Sequence, residues 1–214
     1  MEKAEFIGRL PRAQEPATAP PTHLPRFEQV DSIVQFAARL RSVDGHDHGP
    51  VRPDQVAGLV HDLVEAAELE AFVCWNDVER YGVVARLESA GARRVSGDLG
   101  SDDGGRKQRL GALAGRVAGI TGADAGLVES GSIVLRSGPG RPRSASLLAE
   151  THIVILPVVR LFRSLPHYLA QHPGAVGGIS NLVVVTGPSR TGDIEQQLTL
   201  GVHGPQALHV VLVS

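Results

Sequence analysis

Three stretches of this chain carry residue types that hold anions or move protons. The first is Thr186-Gly187-Pro188-Ser189-Arg190-Thr191-Gly192-Asp193. Its hydroxyls, glycines and the Arg190 fork are groups that bind a carboxylate or phosphate. The aliphatic run 182–185 reads as a strand covered on both faces. Residues 193–200 read as a short amphipathic helix, with Ile194 and Leu198 on one side and Gly201 as its stop. A strand feeding a polar turn at a helix N-terminus is where open α/β sheets bind ligands. The same residues also read as a plain capped helix start, because Asp193 and Glu195 already answer the helix dipole.

The second stretch, 119–132, sets Thr121, Asp124, Glu129 and Gly131 among small residues. Its two carboxylates suit acid–base work, or orient an arginine or histidine. The competing reading has Asp124 capping a short helix over 123–128, with Ser130-Gly131 as a tight turn. The third, Ser137-Gly138-Pro139-Gly140-Arg141-Pro142-Arg143-Ser144, has the glycines of a phosphate loop, but its prolines remove the N–H donors such a loop needs. Arg141 and Arg143 either reach an anion from this turn or are solvated turn charges. With no G-x-x-x-x-G-K-[ST] and no G-x-S-x-G, a P-loop hydrolase is excluded and a hydrolase triad is not expected.

His152 opens a strand and His203 lies in Gly201-Val202-His203-Gly204-Pro205; each suits a general base or a hydrogen-bonding spacer. His46 and His48 are spaced to chelate, yet they sit in a polar linker, 43–50, without a matching third ligand, so no metal is expected in this chain. Cys74 lies in an apolar strand and reads as an inert core residue. As the single cysteine it excludes an internal disulfide, and an iron–sulfur cluster needs about four thiolates.

These groups need a scaffold, and 214 residues allow one domain with an appendage. Hydrophobic content of 42 % and charged content of 21 % mark a globular chain. A formal net charge of −2 gives no pull toward nucleic acid. No stretch nears the roughly 18 apolar residues of a membrane span and no apolar signal core is present, so the cytoplasm is the expected compartment. Residues 1–26, with five prolines, read as a flexible arm; 27–214 read as the folded domain. Apolar positions at helical spacing predict helices over 28–41 and 53–67. A strand over 71–75 and a helix over 78–88 follow. Beyond Val117, strands over 117–121, 132–136, 151–156, 182–186 and 208–213 alternate with short helices over 123–128, 145–150 and 161–171. The 97–105 loop reads as a lid. The whole predicts an α/β fold with two N-terminal helices packed on a sheet.

Four blocks occur in order: G-I-T-G-A-D-A-G-L-V-E-S-G-S-I-V-L (119–135), R-x-x-S-L-L-x-x-x-H-I (143–153), T-G-P-S-R-T-G-D-I-E (186–195) and G-V-H-G-P-x-x-L-H-V (201–210). Together they resemble the LUD-domain family, in its lactate-utilization protein C branch, over about 30–214. The resemblance implies a Rossmann-like sheet of the NagB/RpiA/CoA-transferase-like type. It implies membership of a three-protein system oxidising L-lactate to pyruvate, with iron–sulfur clusters in partner subunits and none here. Among the positions it marks, Glu129, Asp124 and His203 are the catalytic candidates by their own acid–base chemistry. The ligand-binding candidates are Thr121, Gly131, Arg143, His152, Gly187, Ser189, Arg190, Thr191, Asp193 and Gly204, for a small anionic ligand. Two other classes stay open: a free-standing enzyme on an anionic substrate, like a CoA-transferase or formyltetrahydrofolate cyclo-ligase, and a non-catalytic assembly module using the 28–68 helices.

Overall fold

The computed structural model of the chain describes residues 30–99, 103–113, 116–177, 179–192, 198–200 and 204–214. The 1–26 arm, Asp193, His203 and part of the 97–105 loop lie outside them.

Helix α1 (Val30–Ser42) leads into strand β1 (His46–Val51) and, after a 3-10 turn at Pro53–Gln55, helix α2 (Val56–Ala66). Strand β2 (Ala71–Cys74), a 3-10 turn at Asn76–Tyr81, helix α3 (Val83–Ser89), strand β3 (Arg93–Arg94) and helix α4 (Asp103–Leu113) follow. Next come β4 (Val117–Gly122), β5 (Ala125–Leu127), β6 (Ser132–Ser137), α5 (Ser144–Leu147), β7 (Thr151–Pro157), β8 (Leu161–Phe162) and α6 (Leu165–Gln171). The chain continues through β9 (Asn181–Val185), β10 (Arg190–Gly192), β11 (Leu198–Leu200) and β12 (Ala207–Val213).

Six strands form a wholly parallel sheet in the order β1-β12-β7-β4-β2-β3. Parallel sheets are covered on both faces, and this one is. Val56, Val60 and Val64 of α2 and Val83 and Leu87 of α3 lie on Phe72, Ile120, Ile153 and Val211. Each fully buried aliphatic side chain contributes roughly 1.5–3 kcal/mol, so this face anchors the central strands. The other face, Val73, Val154 and Val210, meets Phe36 and Leu40 of α1 together with Ile133 and Leu135 of β6. A second sheet, β8-β5-β6-β9, stacks there. The mixed α/β architecture with N-terminal helices on the sheet is the one the sequence predicts.

Four local expectations are corrected. Residues 43–50 are not a linker but carry edge strand β1, paired parallel with β12; its His-Asp-His-Gly-Pro run has no apolar alternation to reveal it. Residues 125–127 form a strand rather than part of a helix, pairing antiparallel with β6. A Cβ at Gly126 would come within 2.7 Å of Leu156 and Leu161, so the chain passes flat between them. Strand β9 is not covered on both faces: it is the edge of the second sheet, and Val184 is exposed. Leu198–Leu200 is a strand, antiparallel to Arg190–Gly192, in keeping with the period-two Leu-Thr-Leu pattern. Arg190 therefore sits in a β-ribbon, and the expected helix does not extend over 198–200; residues 193–197 lie outside the described ones.

Candidate active-site cleft

Strand order reverses between β2 and β4. From β2 the chain moves outward to β3, whereas from β4 it moves the other way to β7. The crevice outside the carboxyl ends of two such strands is where doubly wound sheets hold ligands. Asn76 and Asp77 follow β2 at this point, and Ala123 and Asp124 follow β4.

The 138–144 turn closes over the crevice. Its carbonyls are what seat it: Asn76 N–H donates to Gly140 O at 2.9 Å, and the Trp75 indole N–H to Pro142 O at 3.0 Å. Gly140 has φ +70°, and a Cβ there would meet the Asn76 amide at 2.7 Å. Ser144 Oγ donates to Gly97 O at 2.7 Å, which draws in the segment after β3.

Arg141 lies across the reversal point. Its Nη2 donates to Asp77 Oδ2 at 2.7 Å and its Nη1 to Asp124 Oδ1 at 3.1 Å. Its guanidinium carbon stands 5.0 Å from the Trp75 ring centroid, a cation–π distance. Asp124, whose side chain is 5 % exposed, also accepts from the Arg136 amide at 2.9 Å and from Arg136 Nη2 at 3.0 Å. It caps no helix; it pins the β5–β6 hairpin to the loop.

Beside the reversal point, between the ends of β2 and β3 and the 138–144 turn, lies a cleft of about 810 Å³, within the range of small-molecule sites. Arg94, Arg141 and Arg143 all line it. Arg94 is half-engaged by Glu79 at 2.6 Å, an exposed pair of small net worth. Arg143 is exposed and makes no ion pair among the described residues. It is the cation best placed to take an incoming anion. Cys74 also lines the cleft, and burial pushes its thiol above the ordinary range, against the pull of Arg94. It therefore stays protonated and non-nucleophilic.

The sequence-predicted residues separate into three places. Arg143 lines the cleft, and Asp124 stands behind it, bound to Arg141 of the same turn. Thr121 and His152 pair in the core, Oγ1 to Nε2 at 2.9 Å, with His152 Nδ1 buried and unpartnered among the described residues. Burial pushes the His152 imidazole down to about 3, so it is a neutral spacer at ordinary pH. The third group lies near the amino ends of the parallel strands. There Ser189 N–H donates to Pro205 O at 2.8 Å, with Gly204 against Ser189. Arg190 Nη2 donates to Asp44 Oδ2 at 2.5 Å. Gly187, at φ +81°, packs on Val43 O, and Gly131, at φ +66°, packs on the backbone of Arg39 and Leu40. Glu129 is exposed and bound to Arg163 Nε at 2.6 Å. Only the backbone of Thr191 is described, paired with Thr199; His203 and Asp193 fall outside the described residues. The 186–193 turn and Arg143 thus do not form one constellation. Sequence reasoning missed Asn76, Asp77 and Arg94, whose signal is their place at or just beyond the carboxyl ends of strands β2 and β3, beside a strand-order reversal.

Residues 33–213 match the LUD domain family. Over 98 % of its length the chain is 29 % identical to lactate utilization protein C of Halalkalibacterium halodurans, covering 94 % of that protein. It is 26 % identical to lactate utilization protein C of Oceanobacillus iheyensis, covering 99 % of this chain and 94 % of that one. The crystal structure of a DUF162 family protein from Deinococcus radiodurans superposes with a TM-score of 0.64 at 18 % identity, over 88 % of this chain and all of that one.

Proposed function

The chain belongs to the LUD-domain family, and from that premise we propose that it is a subunit of a lactate-utilization system that oxidises L-lactate to pyruvate. The observation that carries this reading is the nearly end-to-end similarity to proteins named lactate utilization protein C. Oxidising the hydroxyl carbon of lactate releases two electrons and two protons. One cysteine per chain leaves no thiolate set for an iron–sulfur cluster, so the electrons go to clusters in partner subunits. This subunit supplies the place where a small anion is held.

The cleft between the ends of β2 and β3 and the 138–144 turn is that place. The Arg143 guanidinium takes the carboxylate of the ligand, and charge-assisted bidentate pairing fixes its orientation. Arg141 does not reach for the ligand; tied to Asp77 and Asp124, it holds the loop that carries Arg143. Asp124 accordingly acts as a positioning residue rather than as an acid or base. Deleting the gene should abolish growth on L-lactate as sole carbon source. Re-introducing the wild-type or Arg190→Ala gene should restore growth, whereas Arg143→Ala should not. Unimpaired growth of the deletion strain removes the lactate reading itself. Rescue by Arg143→Ala removes the cleft assignment alone.

A further inference from the structure

Folding residues 46–51 into β1 brings together groups that are far apart in sequence. His46 and His48 fall two residues apart on one strand, hence on one face. Strand β12 sets His209 directly in register with His46. His48 Nε2 stands 2.9 Å from His209 Nδ1. The His46 and His209 rings stack at 4.8 Å between centroids, and those of His48 and His209 at 5.2 Å, tilted by 20° and 23°. Asp47, on the alternate face, is taken up by Arg41 at 2.6 Å. The third imidazole that the sequence pattern lacks is thus supplied by the neighbouring strand β12, distant in sequence.

We propose that His46, His48 and His209 form a binding site for one zinc-class divalent ion, with three imidazole ligands and a fourth position open to water. An N–H···N bond between His48 and His209 requires the accepting ring to be neutral, and a neutral imidazole is the form that ligates a metal. Zinc–nitrogen bonds of about 2.0–2.1 Å in a tetrahedral site place neighbouring nitrogens about 3.3 Å apart. The His48–His209 pair need open by only about 0.4 Å from its present separation. His46 is exposed, so its ring can turn out of the stack to complete the set. Gly49, at φ +113°, lies within the strand where its register with β12 shifts, and a Cβ there would lie 2.6 Å from Leu212 O; only glycine fits, and this holds His48 against β12. Imidazole-only donors favour zinc, copper or nickel over magnesium or calcium. The site stands at the β1/β12 edge, with β7 and β4 between it and the β2 strand that borders the cleft, so it does not depend on the lactate reading.

A second group, His61, Asp62 and Glu65 on the exposed side of α2, has ligand atoms within 4.8 Å of one another and competes for the same ion. The experiment separates the two. Untagged full-length protein, stripped with a chelator and dialysed, is titrated with Zn²⁺ and with Co²⁺. We expect about one equivalent bound in the micromolar range or tighter, visible d–d bands with Co²⁺, and shifted imidazole resonances for His46, His48 and His209. His48→Ala and His209→Ala should each weaken binding by at least roughly 100-fold by removing a ligand, while His61→Ala leaves it unchanged. Should either alanine variant fail to fold by circular dichroism, His48→Gln and His209→Gln decide in its place. Binding that survives the His48 and His209 changes, binding lost with His61→Ala, or no binding tighter than millimolar overturns the proposal.

Discussion

The Arg141 guanidinium donates to Asp77 at 2.7 Å while standing over the Trp75 ring, so one side chain fastens the 138–144 turn to the end of β2. Because Nη1 also reaches Asp124, the bond spans the strand-order reversal. Arg141→Ala should destabilise the protein by about 2–3 kcal/mol, since it strands a nearly buried Asp124 with fewer donors. Arg141→Lys should recover little, because an ammonium cannot fork across two carboxylates. Urea unfolding at neutral pH measures both. A loss below about 0.5 kcal/mol for Arg141→Ala would mean that solvent already screens the pair.

Helix α5 lies directly on β4, and a Cβ on Gly119 would collide with the carbonyl of Ala145. Backbone on both sides leaves nothing flexible to yield. Gly119→Ala should therefore cost about 3 kcal/mol or more, read as a fall in the urea midpoint or as insoluble expression. A fully stable Gly119→Ala protein would show that α5 can lift off the sheet.

Acid should weaken the fold through His152. Its imidazole takes a proton near 6.5 when unfolded but only near 3 when folded, because burial excludes the charged form. Between those values the unfolded chain binds the extra proton, so stability drops as pH falls, at about 1.4 kcal/mol per pH unit. From pH 6.5 to 4.5 the contribution amounts to about 2 kcal/mol. His152→Gln should flatten this part of the profile while keeping a group that bonds Thr121. Chemical unfolding at several pH values compares the two proteins; equal slopes would exclude His152 as the cause.

Arg143 and Arg190 make opposite predictions. Arg190 forms one exposed pair with Asp44, so Arg190→Ala should change stability by less than about 1 kcal/mol. It should also leave the affinity for L-lactate or pyruvate within about twofold by isothermal titration. Arg143→Ala should reduce that affinity by roughly tenfold or more, the value of one charge-assisted bond. The reverse outcome moves the anion site to the 186–193 turn.

Much of the scaffold is legible in sequence because it is written in apolar periodicity. Phe36 and Leu40 of α1, Val56, Val60 and Val64 of α2, and the unbroken runs of β4, β7 and β12 all repeat at the spacing of what they cover. Strand β1 is invisible because its residues make their pairing through backbone and imidazole. Residues 125–127 and 198–200 read as parts of helices because a few apolar residues satisfy either period, and tertiary pairing decides. The cleft was harder still. The carbonyls of 137–144 accept from Trp75 and Asn76, a link across more than sixty positions that spacing cannot show. The local blocks around Arg190 and Gly204 drew attention by their own composition, whereas the crevice arises only from the order in which strands are laid side by side.

Strand β12 sits between β1 and β7, which precede it in the chain; His48 and His209 meet over a separation of 161 positions. While the polypeptide emerges from the ribosome, β1 has no neighbour and β7 shows a bare hydrogen-bonding rim. Both wait for residues 207–213 to arrive. Such distant pairing makes assembly slow and leaves sticky rims exposed in the interval. A nascent chain halted before β12 is thus a natural client for a chaperone, with the strands most in need of cover already named.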